Sequence, residues 1–319
     1  MRATTFHAIA AILIFAFAAA SVPAAELDEF AGTWAMRLSD RNFFVIRLTV
    51  SGGAIAGVFD HPAKFSSTNS IFANIRGGVL HDKIIKSRLE NNALHFTVQD
   101  ADAPSDQDQY TMTVEADRAY LAFDGLPATI ALDPWVLNRV SFAAQVATDW
   151  PPNRAYVAGD SDVPSAEMKA IYDEDQRARM QPNPDWPAVT RTDAERREQT
   201  HKLLAAGALH TGKDYEEASF VFQHGNSPQD FLLAHTLAMV AVSKGDSTAI
   251  WIAAATLDRY LQKIGQPQIY GTQFQHSEKS GWTQDPYDRS LVSDALRRQL
   301  GVPSQSTQIR QLDAYSKQN

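Results

Sequence analysis

The 319-residue sequence contains no cysteine. That absence excludes disulfide staples, thiolate nucleophiles, a lipidated N-terminal cysteine and every sulfur-ligated metal centre. After the first twenty residues no hydrophobic run approaches the roughly 20 apolar residues that a membrane-spanning helix needs. Dense blocks of Lys or Arg are missing too. With 29 basic against 37 acidic residues the formal charge is −8, which argues against nucleic acid as a partner. No H-E-x-x-H, G-x-S-x-G or phosphate-loop signature is present, so those metalloprotease, hydrolase and nucleotide chemistries have no support in the motifs.

What is present begins with a leader. Arg2 precedes an apolar run of 13 residues, Ala8–Ala20, and a small-residue close, Ser21–Ala25. That order predicts a signal peptide over Met1–Ala25, cleaved after Ala24 or Ala25. The expected address is a bacterial periplasm or the exterior, with no membrane span left after cleavage.

From Phe30 the apolar residues alternate or run in bursts of strand length: TWAMRL, FFVIRLTV, AIAGVF, IIKSRL, ALHFTVQ, YTMTVE, AYLAF and WVLNRVSF. Turn formers such as Ser51-Gly52-Gly53, Gly77-Gly78 and Asn91-Asn92 separate them. The pattern predicts an antiparallel β-barrel or sandwich over residues 26–147. His61 and His81 fall beside these turns and are expected to be exposed. Asp100, Asp102, Asp106 and Asp108 lack the glycine and closing glutamate of a calcium loop, and a solvated acidic turn is expected. Gly32-Thr33-Trp34 resembles the G-x-W opening of lipocalin-like barrels. The resemblance implies that Arg139, in the last strand, lies across Trp34 at the closed end. The barrel then encloses a small apolar ligand or is filled by its own side chains; the Phe and Ile supply favours the second.

Residues 148–164 form a linker, because Pro151 and Pro152 stop regular structure; Trp150 and Tyr156 are expected to hold it against one domain. Residues 165–319 then read as helices, giving an α+β chain of two domains. Ser165 caps a helix ending before Pro182, Asn183–Pro187 is a turn, and Thr192 with Glu195 forms a capping box for the next helix. Gln275–Asp288 is expected as a polar loop, Ser290–Leu300 as a helix, and the polar last fifteen residues are expected to fray.

The centre of this half runs from Asp214 to Gln273, as three apolar helices punctuated by Gly225, Gly245 and Gly265. Such spacing predicts stacked helical hairpins. The motifs Phe222-Gln223-His224-Gly225, Leu233-Ala234-His235, Trp251–Leu261 and Gln268–Phe274 together resemble a widespread bacterial helical domain of unknown function. The resemblance spans roughly residues 165–303 and implies an all-α domain, with no reaction attached.

Polar groups on such aliphatic helices are costly unless partnered, so they mark the candidate site. His224, His235, Asp258 and Arg259 are the candidate catalytic residues, and Gln223, Tyr270, Thr272 and Gln273 the candidate binding residues of one polar cleft. In a catalytic reading a histidine acts as general base oriented by Asp258, while Arg259 holds an anionic substrate. Ser219, Ser227 and Thr272 are then nucleophiles only by nearness. A metal reading would use His224, His235 and Asp258, with Glu217 as an alternative carboxylate, although no spacing signature supports it. In a structural reading His224 bonds the last carbonyls of its helix, and Asp258 with Arg259 forms a buried pair. The functional expectation is a binding or scaffolding module for a small molecule, an envelope component or a protein; the alternative is a hydrolase or lyase. No cofactor is indicated.

Overall fold

The structure is a computed structural model that describes residues 27–125 and 132–317. The expected signal peptide lies outside the described residues. The chain is α+β: an eight-stranded antiparallel barrel followed by helices.

The barrel strands are β1 (Gly32–Leu38), β2 (Arg41–Ser51), β3 (Ala54–Thr68), β4 (Ile71–Glu90), β5 (Ala93–Gln99), β6 (Gln107–Glu115), β7 (Arg118–Phe123) and β8 (Trp135–Val140). Each pairs with the next, and β8 returns to β1 with Arg139 opposite Trp34. All eight bursts of the sequence became strands. Alternation supplies the core: Trp34, Met36, Ile46, Leu48, Leu94, Phe96, Met112, Leu121 and Leu137 are buried. Each such side chain contributes about 1.5–3 kcal/mol relative to exposure.

At the end of the barrel where β1 begins, Trp34 is fully buried and donates Nε1–H to the Phe30 carbonyl at 2.8 Å. The Arg139 guanidinium lies 4.1 Å from the centre of its ring and donates to the carbonyls of Ala31 and Glu29 at 2.7 and 2.9 Å. Gly32 is required there, since a Cβ would stand 2.7 Å from Arg139 Nη1, and its φ of +127° disfavours any side chain.

At the other end β3 and β4 run on past Gly77 and Gly78 and turn only at Asn69, whose φ is +54°. The expected break at Gly77-Gly78 is therefore inside a strand, because ladder pairing to β3 continues on both sides of it. This lengthening also corrects the expectation for His61. It lies inside β3, its Nε2 faces Asp82 Oδ2 at 2.9 Å, and its ring packs between Phe59 and Phe65. His81 is exposed as expected. Phe44, Phe59, Phe72, Tyr110 and Trp135 meet ring to ring across the interior at this end.

Residues 148–164 are fastened on both sides. Trp150 packs on Phe43 and Tyr156, and Tyr156–Val157 add to β4 as a ninth strand, β9. Asp160 pairs with buried Lys244, and Ala155 N donates to the Ser243 carbonyl at 2.7 Å. Asp162 meanwhile holds Arg154 at 3.0 Å and Arg41 of the barrel at 3.3 Å.

The helices are α1 (Ala166–Arg179), α2 (Trp186–Ala205), α3 (Gly212–Gln223), α4 (Pro228–Ser243), α5 (Ile250–Lys263), α6 (Asp294–Gln299) and α7 (Gln305–Ser316). Ser165 caps α1 as read from the sequence, and Ser227 with Asp230 forms a reciprocal cap on α4. Consecutive α3, α4 and α5 pack together through Ala218, Val221, Phe222, Ala234, Leu237, Ala238, Ala241, Ile252, Ala253 and Ala255. Small residues at these faces let the backbones approach closely.

Four local expectations fail here for identifiable reasons. Helix α2 starts at Trp186 because Asp185 caps Ala188 N and Pro187 occupies the first turn, which leaves Thr192 inside the helix bonding Ala188 and Val189 carbonyls. The polar loop contains a two-stranded ribbon, β10 (Gln275–Ser277) and β11 (Gly281–Thr283), which is also a departure from an all-α half. Ser293, not Ser290, caps α6. The tail is helical through Ser316 instead of fraying, since α7 is capped by Ser304 and Tyr315 stacks on Trp282 at 4.9 Å.

Candidate functional site

Helix α5 sets the geometry. Its Ala253–Ala255 face packs against α4, which leaves its last two turns to present polar side chains beside α3 and the loop that follows.

Asp258, fully buried, is the hub of that loop. Oδ1 accepts from Ile269 N at 2.8 Å and Tyr270 N at 3.0 Å; Oδ2 accepts from Thr272 N at 2.9 Å and Thr272 Oγ1 at 2.7 Å. Four donors on two oxygens saturate an ionised carboxylate. The intervening Gly271 has φ +70°, and a Cβ there would lie 2.5 Å from Gln308 Oε1 and 2.6 Å from the Tyr287 hydroxyl, so the Tyr-Gly-Thr run is a loop wrapped around a carboxylate. Gln273 ties it back to α5, its amide donating to Ala255 O at 3.2 Å and Thr272 Oγ1 at 2.9 Å. Tyr270, half-buried, uses its backbone here, and burial beside Asp258 pushes its phenol pKa up.

A second layer holds the loop. Gln268 exchanges bonds with the backbone of Gln273 at 2.9 and 3.0 Å, and Gln284 donates to Gly271 O at 2.6 Å. Arg297, fully buried, donates to Ile269 O at 3.2 Å and Val292 O at 3.2 Å, while Gln308 donates to Tyr270 O at 2.8 Å. Gln268 opens the Gln268–Phe274 motif, but nothing in the local pattern of Gln284, Arg297 or Gln308 marks them in the sequence. They come from a loop, a short helix and the C-terminal helix, and only folding brings them together.

His235 sits on α4 facing the same helix. Its Nδ1–H donates to Ala253 O at 2.8 Å, because a carbonyl can only accept. Thus His235, Asp258, Tyr270, Thr272 and Gln273 do share one neighbourhood around α5, and the hydrogen bonds they make run to backbone groups and to one another.

His224 and Arg259 stand apart from that network. His224 follows the last residue of α3, and its own carbonyl accepts from Arg197 at 3.2 Å, so the helix end is completed by arginine rather than by the imidazole. Its Nε2 is buried with no hydrogen-bond partner among the described residues. Burial, reinforced by the positive charges of Arg179, Arg259, Arg197 and Arg196, pulls its pKa down to about 3, which keeps the ring neutral. Gln223 precedes it, buried in the last turn of α3.

Arg259 does not pair with Asp258. Successive residues on a helix diverge by about 100°, and Arg259 forms no ion pair among the described residues. Its Nε is buried without a partner, as is Gln262 Nε2 one turn further on, and burial lowers the Arg259 pKa. The supposed single cleft is therefore two places: a saturated carboxylate hub, and an electropositive spot with unengaged donors. The metal alternative of His224, His235 and Asp258 does not assemble, since among the described residues no three such side chains stand close enough to hold an ion.

No family model, curated protein or solved structure matches the chain.

Proposed function

We propose that this chain is an exported binding module of the bacterial periplasm or cell envelope, which retains a ligand rather than transforming one. In this reading the barrel is lipocalin-like, and the helices form a second, separate domain of stacked hairpins similar to the widespread bacterial helical family. The Gly32-Thr33-Trp34 opening with Arg139 across it, and the ordered motifs from Phe222 to Phe274, support those affiliations. The leader-like composition of Met1–Ala25 supports the address.

One observation carries the preference for binding over catalysis. Each of the three nearby hydroxyls is already a donor to an oxygen: Ser219 to Glu216 O at 2.7 Å, Ser227 to Asp230 at 2.7 Å and Thr272 to Asp258 at 2.7 Å. None addresses a histidine, and Asp258 has no free oxygen lone pair with which to orient one. A nucleophile–base–orienter chain therefore has no members here.

The test is native mass spectrometry of the protein recovered from a periplasmic extract, compared before and after denaturation. A defined non-covalent adduct released on unfolding is the expected result, together with a mature N-terminus at Ala25 or Glu26. Turnover of ester, phosphoester or glycoside substrates that is abolished by His235→Ala would overturn the reading.

A further inference from the structure

Five basic side chains converge where α1, α2, α3 and α5 meet, and four of the five are arginines. Arg179 is held by Asp175 and Asp193, both at 2.8 Å; Arg196 by Asp193 at 2.9 Å and Glu174 at 3.4 Å; and Arg197 lies 3.7 Å from Asp230. Every local carboxylate in these pairs is thus committed to an arginine other than Arg259. His224 completes the group, and the charge of Arg259 bears on it directly.

Buried donors without acceptors are rare in folded proteins, and each costs about 1–3 kcal/mol, more when charged. Here four such atoms occur in this cluster and on Gln262 beside it: Arg196 Nε, His224 Nε2, Arg259 Nε and Gln262 Nε2. Arg259 and Gln262 are three residues apart on α5 and so share a face. His224, Arg259 and Gln262 are each only partly covered, so part of each residue meets solvent while the three unpartnered atoms lie beneath the surface. A set of unpartnered donors, one of them on a guanidinium with no ion pair among the described residues, is complementary to a group with several lone pairs and negative charge.

We infer that His224, Arg259 and Gln262 form a receptor for an oxyanion, the phosphate or carboxylate group of a ligand. This rests on the binding reading above and names the chemistry of what is bound. Arg259 supplies the charge, Gln262 an amide donor, and neutral His224 an Nε2–H donor in one tautomer. Arg179, Arg196 and Arg197, each held in an ion pair, raise the local potential, and of these Arg196 also keeps a buried Nε without a partner.

The test is thermal unfolding of the full chain titrated separately with inorganic phosphate and with acetate at constant ionic strength. Wild type, Arg259→Met and the exposed control Lys263→Gln on the same helix are compared. Expected is a saturable rise in Tm for wild type and the control with phosphate, acetate or both, the responding probe identifying the source of the charge. Arg259→Met should weaken that response about tenfold or more, while being no less stable than wild type when neither probe is present. The inference is overturned if wild type responds to neither probe, or if Arg259→Met responds as wild type does. Should Arg259→Met fail to fold, Gln262→Leu decides: a severalfold weaker response supports the receptor and an undiminished one sinks it. A copurified ligand retained by Arg259→Met removes this site while the binding reading stands. Turnover accompanied by an Arg259-dependent titration removes that reading while the site stands.

Discussion

Asp258 and Arg259 are adjacent in the chain, and the helix turns them into opposite surroundings. Asp258 receives four hydrogen bonds and organises the loop from Ile269 to Thr272. Arg259 has a buried, unengaged Nε and, among the described residues, no carboxylate partner. Both are charged groups drawn out of water, so burial alone does not separate a structural residue from a ligand-binding one. The discriminating property is whether the fold itself satisfies the group. A charge whose every bond is made internally is part of the architecture; one left incomplete is open to something else.

The comparison can be broken most forcefully at Asp258. Replacing it with alanine strands three backbone N–H groups and a hydroxyl in the interior and removes the anchor of the loop. Loss of about 3–5 kcal/mol is expected, read as a fall in Tm or in the midpoint of urea unfolding. A loss under about 1 kcal/mol would show that the loop has another anchor.

A smaller and pH-dependent effect belongs to His224. Its pKa in the fold, about 3 against 6.5 for a free imidazole, is depressed, so the folded state resists protonation. Stability linked to this ring is intact above about pH 6.5 and declines as pH falls from there toward 3. His224→Gln should therefore lower the sensitivity of Tm to acid in that window while changing little at pH 8. Parallel Tm-versus-pH curves for wild type and variant would contradict the burial and charge environment described for His224.

The smallest effect is expected at His235. One hydrogen bond to Ala253 O and partial packing amount to about 1 kcal/mol, so His235→Ala should lower Tm by a few degrees. It should leave any response to phosphate or acetate unchanged, because His235 belongs to the α5–α4 contact rather than to the arginine cluster. A response lost with His235 would reunite the two places that the structure separates.

Much of the architecture was readable because it depends on local pattern. Alternation over eight bursts places β1–β8, and Ser227-Pro228 with Asp230 places the start of α4. Arg139 over Trp34 was implied only by the resemblance that the G-x-W opening carries, and the structure places it there. What misled were signals satisfied by more than one partner. Gly77-Gly78 looks like a turn, yet pairing with β3 resumes on both sides and leaves it as an irregularity inside the strand, with Gly77 at φ +87°. Thr192 and Glu195 look like a capping box, yet Asp185 and Pro187 begin the helix earlier. The terminal residues are polar, but Gln308 is buried against the Tyr270 loop and Tyr315 on Trp282, which no local composition announces.

The candidate site shows the same division more sharply. Residue types and helical spacing picked out His224, His235, Asp258 and Arg259 as polar groups on apolar helices, since that requires only periodicity. Whether each one is satisfied depends on atoms far away in sequence: Thr272 for Asp258, Ala253 for His235, and for Arg259 no carboxylate among the described residues. Periodicity is a property of neighbouring residues, and the chain alone determines it. Hydrogen-bond completion is a property of distant segments meeting at about 3 Å, and only the tertiary structure decides it.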